Sequence, residues 1–248
     1  MRLLVLCLVI TTILLDAQVP QPSNAIAHRA EQIKKIAANL TNEDFVEIPN
    51  ESPTSRLSQI RHIVQEQVLE TLSSTEKPEN VRNAVAALFA GLSDEWKTGF
   101  AYAADLQGVK TMVVGYSLNS NGNIGSSVVV QGYRKSLTYD LVAETHEGGY
   151  VLVIDPVASP RSNEVWYLDH GRIRNGGNHA EPLRLFSFDG YEFKTIWEGG
   201  GYFPEIRISH DQITVRYNAG GGMGPRKLDI VSLTTGGVTA STFDEPQQ

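Results

Sequence analysis

The chain has 248 residues, 41% of them hydrophobic and 20% charged, with a formal net charge of −7. This is ample for a real core and excludes wholesale disorder. The acidic balance argues against a general nucleic-acid binder, because phosphate contacts need clustered Lys and Arg.

In chain order, Arg2 precedes an uncharged run of thirteen residues, Leu3 to Leu15. That is the length of a signal-peptide hydrophobic region and falls short of the roughly 20 apolar residues that span a bilayer. Residues 1–25 therefore read as a signal peptide, with Ser23-Asn24-Ala25 as the small-x-small cleavage site and a cut after Ala17 as the alternative. Secretion or periplasmic export is expected. The single cysteine, Cys7, leaves with the leader, so a disulfide, a thiolate nucleophile and a thiolate metal site are all excluded. No later apolar run is long enough to be a transmembrane segment.

Residues 26–97 carry helical spacing. Ile33, Ile36, Ala37 and Leu40 share one face, and Leu57, Ile60, Val64, Val68 and Leu72 form a second stripe. Pro78 opens a third helix, with Val81, Val85, Leu88, Phe89, Leu92 and Trp96 as its apolar face. Asn39-Leu40-Thr41 and Asn50-Glu51-Ser52 match the N-glycosylation acceptor pattern.

From residue 98 to 243 the period becomes alternating. About twelve short strands are expected with no helix between them, which argues against a parallel βαβ arrangement. Asp189-Gly190 marks a hairpin from Leu183 to Trp197, whose Phe186, Phe188, Tyr191, Phe193 and Trp197 are expected to share one aromatic face. His210-Asp211 marks a second hairpin. The expected class is α+β: N-terminal amphipathic helices followed by an antiparallel β-meander folded as a two-sheet sandwich. A partial or oligomeric propeller-like array is the alternative. Residues 244–248 read as a disordered tail.

Glu164 to Trp197, with its EVWYLDHGR and LRLFSFDGYEFKTIW segments, resembles a pattern of uncharacterised secreted bacterial β-rich proteins: a Trp-containing strand, then L-x-L-F-x-F-D-G and an aromatic stretch ending in I-W. The resemblance implies a secreted β-rich protein and transfers no functional residue.

Candidate chemistry is sparse. His146, Asp169, His170 and His179 fall in one β region and are the candidate metal ligands, although no metal motif spaces them. With the nearby carboxylates of residues 144–179 they are also the candidates for a hydrolase. Trp166, Tyr167, Trp197 and Tyr202 are candidate ligand-binding aromatics, able to stack on sugar rings if exposed. Gly199-Gly200-Gly201 and Gly220 to Lys227 read as flexible connections, since Lys227 is followed by Leu228 and no P-loop is formed. No motif implies a cofactor. The expected function is a secreted, non-catalytic binding or interaction protein whose partner is an extracellular or envelope protein or a glycan. An extracytoplasmic hydrolase and a glycan-binding domain are the alternatives, and the interaction reading expects an unpaired sheet edge or an exposed apolar patch.

Overall fold

A computed structural model describes residues 24–45, 54–92, 98–119, 126–148, 150–173 and 180–245. Three helices precede two antiparallel sheets, so the fold is α+β. The helices are α1 (Asn24–Ala37), α2 (Arg56–Ser74) and α3 (Pro78–Leu88), with a short 3-10 turn at Asn42–Phe45. Ser55 caps α2 by accepting the Ser58 N–H through its side chain, and Pro78 begins α3, where a missing N–H costs nothing. Leu57, Ile60, Val64, Val68 and Leu72 of α2 are buried as their spacing predicts. α3 ends at Leu88 and Phe89 caps it, so the helix stops short of the expected stripe. Trp96 and the Asn50 acceptor site lie outside the described residues.

The first sheet runs β1 (Thr98–Leu106), β2 (Val109–Asn119), β3 (Ser126–Lys135) and β4 (Tyr139–Gly148) in simple order. Its alternation divides it cleanly. Met112, Val114, Tyr116 and Leu118 of β2, with Val129 and Tyr133 of β3, join the helices in one core. Val113, Val128 and Val130 point the other way and meet Tyr167, Phe186 and Phe188 of the second sheet.

The second sheet contains β5 (Tyr150–Val157), β6 (Val165–Ile173), β7 (Ala180–Phe188), β8 (Phe193–Ile208), β9 (Gln212–Asn218), β10 (Arg226–Thr234) and β11 (Gly237–Asp244), again in sequence order. This makes eleven described strands, four and seven to a sheet, and among the described residues neither sheet closes into a barrel. The larger sheet curls instead. Trp166 and Leu168 of β6, Leu183 and Leu185 of β7, Ile213 and Val215 of β9, and Val231 and Leu233 of β10 form a third core on its concave face. The curl brings β11 to within 8 Å of β8, three strands away. A flat sheet would hold them about 14 Å apart.

The bend lies in β8, where sequence reasoning placed a flexible glycine connection. Gly199, Gly200 and Gly201 are inside this strand, and a Cβ on them would collide with the Trp197 ring, the Glu181 carbonyl and the Tyr217 ring respectively. They are glycines of close approach. β8 also carries two irregularities of register, one at Ile196 and one at Phe203–Pro204, and Phe203 has φ 52°. The first corrects the expected aromatic face. Phe186, Phe188 and Phe193 pack between the sheets, but the extra residue rotates Trp197 to the concave side opposite Leu185, and Tyr191 is exposed. The turn itself is centred on Gly190-Tyr191, one residue later than expected. Gly190 has φ 92°, the positive value a II′ turn needs at its first central position. The His210-Asp211 turn falls where expected, between paired Ile208 and Ile213.

Candidate functional site

The sequence-predicted aromatics are placed first by burial. Trp166 and Tyr167 are each 1% exposed and, as neighbours on β6, enter different cores: Trp166 the concave one, Tyr167 the inter-sheet one. Neither offers a face to a sugar. Trp197 is partly buried against the concave core with its ring over Gly199, and Tyr202 is partly buried on β8.

The candidate metal ligands divide likewise. Asp169 and His170 are consecutive on β6, so they point to opposite faces of the sheet. His170 Nε2 lies 2.7 Å from Asp155 Oδ2, while Asp169 is buried. His146 is on β4 of the other sheet, its Nδ1 3.9 Å from Glu144. His179 lies outside the described residues. Among the described residues no three His, Cys, Asp or Glu side chains form a group that would hold a metal ion. The Asp155–His170 contact can fix an imidazole tautomer, and that is its chemistry as it stands.

Glu144 belongs to a network that sequence spacing could not reveal. Arg61 of α2 donates to Glu144 Oε1 at 2.8 Å, Gln131 donates to Glu144 Oε2 at 2.7 Å, and Tyr133 donates to Gln131 Oε1 at 2.7 Å. These residues tie the helical layer to the first sheet. Burial, reinforced by the Glu144 charge, pushes both Tyr116 and Tyr133 well above the usual tyrosine range. The Tyr116 hydroxyl has no hydrogen-bond partner among the described residues. This is a structural polar core.

The sheet edges differ from one another in a way that bears on function. β1 begins with an irregular register between Thr98 and Phe100 and has α3 packed against it. β4 is irregular opposite Gly132 and Tyr133 and carries Asp140, Glu144 and His146. β5 contains Pro156 and packs across the first sheet. These are the devices that protect an edge from pairing with another chain. β11 has neither bulge nor proline, and its single charged residue, Asp244, is at its end. Its sequence, GVTASTFD, has no proline and no basic residue, and its pairing with β10 runs without a break from Thr234↔Gly237 to Lys227↔Asp244. Thr239 to Asp244 are all exposed, and no described strand pairs with the outer edge.

The strand is nevertheless held straight at both ends. Thr234 Oγ1 donates to the Gly237 carbonyl at 2.9 Å, and Arg161 donates to the Thr235 carbonyl at 3.1 Å. At the far end Glu245 accepts from Arg216 at 2.8 Å and Arg226 at 3.2 Å, and Lys227 pairs with Asp244. Hydrogen bonding from Arg216, and then Arg226, holds the Glu245 carboxyl below the usual range. The two cations after the Gly220 cluster are thus committed to Glu205, Glu245 and Asp244. Thr242 donates to the buried Asp229 at 2.7 Å, while Phe243, half exposed, is cross-strand from Leu228 on the outer face. A rigid strand with an open ladder of amide donors and acceptors can receive one more strand. Alternation in residues 227–233 and 238–243 announced these strands, and β11 is an edge because it is the last strand of a sheet that runs in sequence order.

No protein-family model matches this chain, and no curated protein matches it. Among the described residues no helix is long and apolar enough to cross a membrane.

Proposed function

We propose that this is an exported, non-catalytic interaction protein that binds an extended segment of another polypeptide by strand addition along β11. The observation carrying this reading is the contrast among the edges: β11 alone of the four keeps a regular, exposed ladder free of proline, basic residues and bulges. Main-chain hydrogen bonds supply the affinity in this mode, and alternate side chains supply selectivity. Phe243, Ser241 and Thr239 line one face and Thr242, Ala240 and Val238 the other, so small and β-branched partner residues fit best. The Arg2 to Leu15 leader supports export. A cut after Ala25 removes only Asn24 and Ala25, both exposed, from α1 and leaves its buried Ile33 and Ala37 in place.

The test uses the lack of cysteine after Cys7. Ser241→Cys carries a photo-cross-linker, and the protein is irradiated in its native extracytoplasmic fraction. Adjacent N–H groups of a strand point to opposite sides, so Thr239→Pro or Ala240→Pro, made in the Ser241→Cys protein, removes an outward donor. The reading expects a discrete cross-linked partner that disappears in whichever proline variant stays folded. A cross-link indifferent to that substitution, or none at all, defeats it.

A further inference from the structure

A second, independent site lies at the end of the sandwich where the β1–β2 and β7–β8 turns meet. A cavity of about 120 Å³ is lined by Leu106, Val109, Arg134, Asp189 and Tyr191, among others. These residues come from well-separated parts of the chain, and turns carried on a rigid two-sheet scaffold are a common place for binding groups.

Two charges of opposite sign share this cavity. The Arg134 guanidinium lies over the Tyr191 ring, 4.3 Å from its centroid, and the described residues give it no hydrogen bond and no carboxylate partner. Stacking occupies the face of a guanidinium and leaves its in-plane N–H fork open, the geometry that grips a carboxylate through two parallel bonds. Asp189 is fixed by its own turn. Its Oδ1 accepts the N–H groups of Tyr191 at 2.9 Å and Glu192 at 3.0 Å, and Lys194 lies 3.6 Å from Oδ2. Burial alone would raise its pKa, but these donors outweigh burial and keep the carboxyl ionised. Arg134 and Asp189 line the same cavity without being ion-paired to each other.

We infer that this cavity binds a small zwitterion, an α-amino acid of the size of glycine or alanine, with its carboxylate on Arg134 and its ammonium on the Asp189 side. The charge balance argues for this class over others. Lys194 beside Asp189 is itself paired with Glu192 at 2.5 Å, so these two offset each other; a bare anion then gains from Arg134 and loses to Asp189, a bare cation does the reverse, and a zwitterion gains at both ends. Size sets the second limit. An apolar cavity of about 150 Å³ takes up benzene, with six heavy atoms, so this one accommodates about five or six. Leu106 and Val109 supply an apolar wall that suits a methyl group.

The experiment is an amide-shift titration of the isotope-labelled protein with L-alanine, sodium acetate and ethylammonium chloride in parallel. L-alanine is expected to shift the amides of Gln107 to Val109 and of Gly190 and Tyr191 saturably, and more tightly than either half-molecule. Arg134→Gln is expected to weaken binding about 10- to 100-fold, the loss of a charge-assisted pair. Asp189→Asn keeps the oxygen that caps the turn, so it tests the ammonium contact in a folded protein; it is expected to weaken L-alanine and leave acetate no worse bound. Absence of saturable shifts, shifts elsewhere on the molecule, or acetate binding as tightly as L-alanine each overturns the assignment. None of these results touches the β11 edge.

Discussion

Gly132 provides a test in which local propensity and tertiary packing predict opposite signs. The residue sits in β3 without a positive φ, so alanine is allowed there by the backbone. On propensity alone, replacing a strand-interior glycine by alanine stabilises by about 0.5–1 kcal/mol through the unfolded state. The structure says otherwise. A Cβ at Gly132 would lie 2.6 Å from two ring carbons of Phe188 and 3.0 Å from Phe193 Cζ. Carbon–carbon contacts are most favourable at about 3.5–4.0 Å, so the two closest approaches fall short by about 1 Å. Phe188 has nowhere to go: it is 0% exposed, with its ring 4.7 Å from that of Phe193. Gly132→Ala is therefore an overpacking change expected to destabilise by about 1–3 kcal/mol, lowering the midpoint of thermal unfolding by about 2–12 °C. Urea unfolding gives the free energy directly, and Phe188→Leu in the same background is expected to recover part of the loss, because the two sites touch. An unchanged or raised midpoint for Gly132→Ala would refute the account of how the two sheets meet.

Three further outcomes follow from the same geometry. Tyr116→Phe is expected to hold or raise stability by about 1 kcal/mol by deleting an unpaired buried hydroxyl, whereas Tyr133→Phe, which strands Gln131, is expected to lower it by about 1 kcal/mol or more; urea titration of both compares them. Gly200→Ala is expected to cost at least about 2 kcal/mol, since φ 135° is a conformation held almost only by glycine and the new Cβ meets the Glu181 carbonyl; the unfolding midpoint reports it. On the acid side, Lys110 and Lys135 hold Glu76 below the usual carboxylate range. At Asp44, burial pushes the carboxyl upward but is outweighed by the Thr41 N–H and hydroxyl and by Arg56. The unfolded chain takes up protons at higher pH than these folded-state groups do, so their stabilisation is full above the usual carboxylate range. It is lost as pH falls through their depressed values. Glu76→Gln is expected to flatten that acid limb in a stability–pH profile.

The sequence by itself determined the order and kind of the elements. The stripes of α2 and α3, the change of period near residue 98 and the turn residues from Asp189 onward are local signals, because an apolar stripe at the helical period or an alternating run needs only one buried face to be realised. Where the local signal misled, packing or a bulge was the cause. The three glycines of β8 looked like a loose connection, yet Gly200 and Gly201 yield room to a carbonyl and a ring from neighbouring strands, and Gly199 to the Trp197 ring of its own strand. The aromatic hairpin looked one-sided, yet an extra residue at Ile196 sends Trp197 to the concave core. The candidate sites were decided only by tertiary structure. Arg134 and Tyr191 are brought together by the packing of two sheets, and the irregularities that mark β1 and β4 off from β11 show only in the strand register. Charge balance in a cavity is a property of groups far apart in the chain, and no residue pattern along it records it.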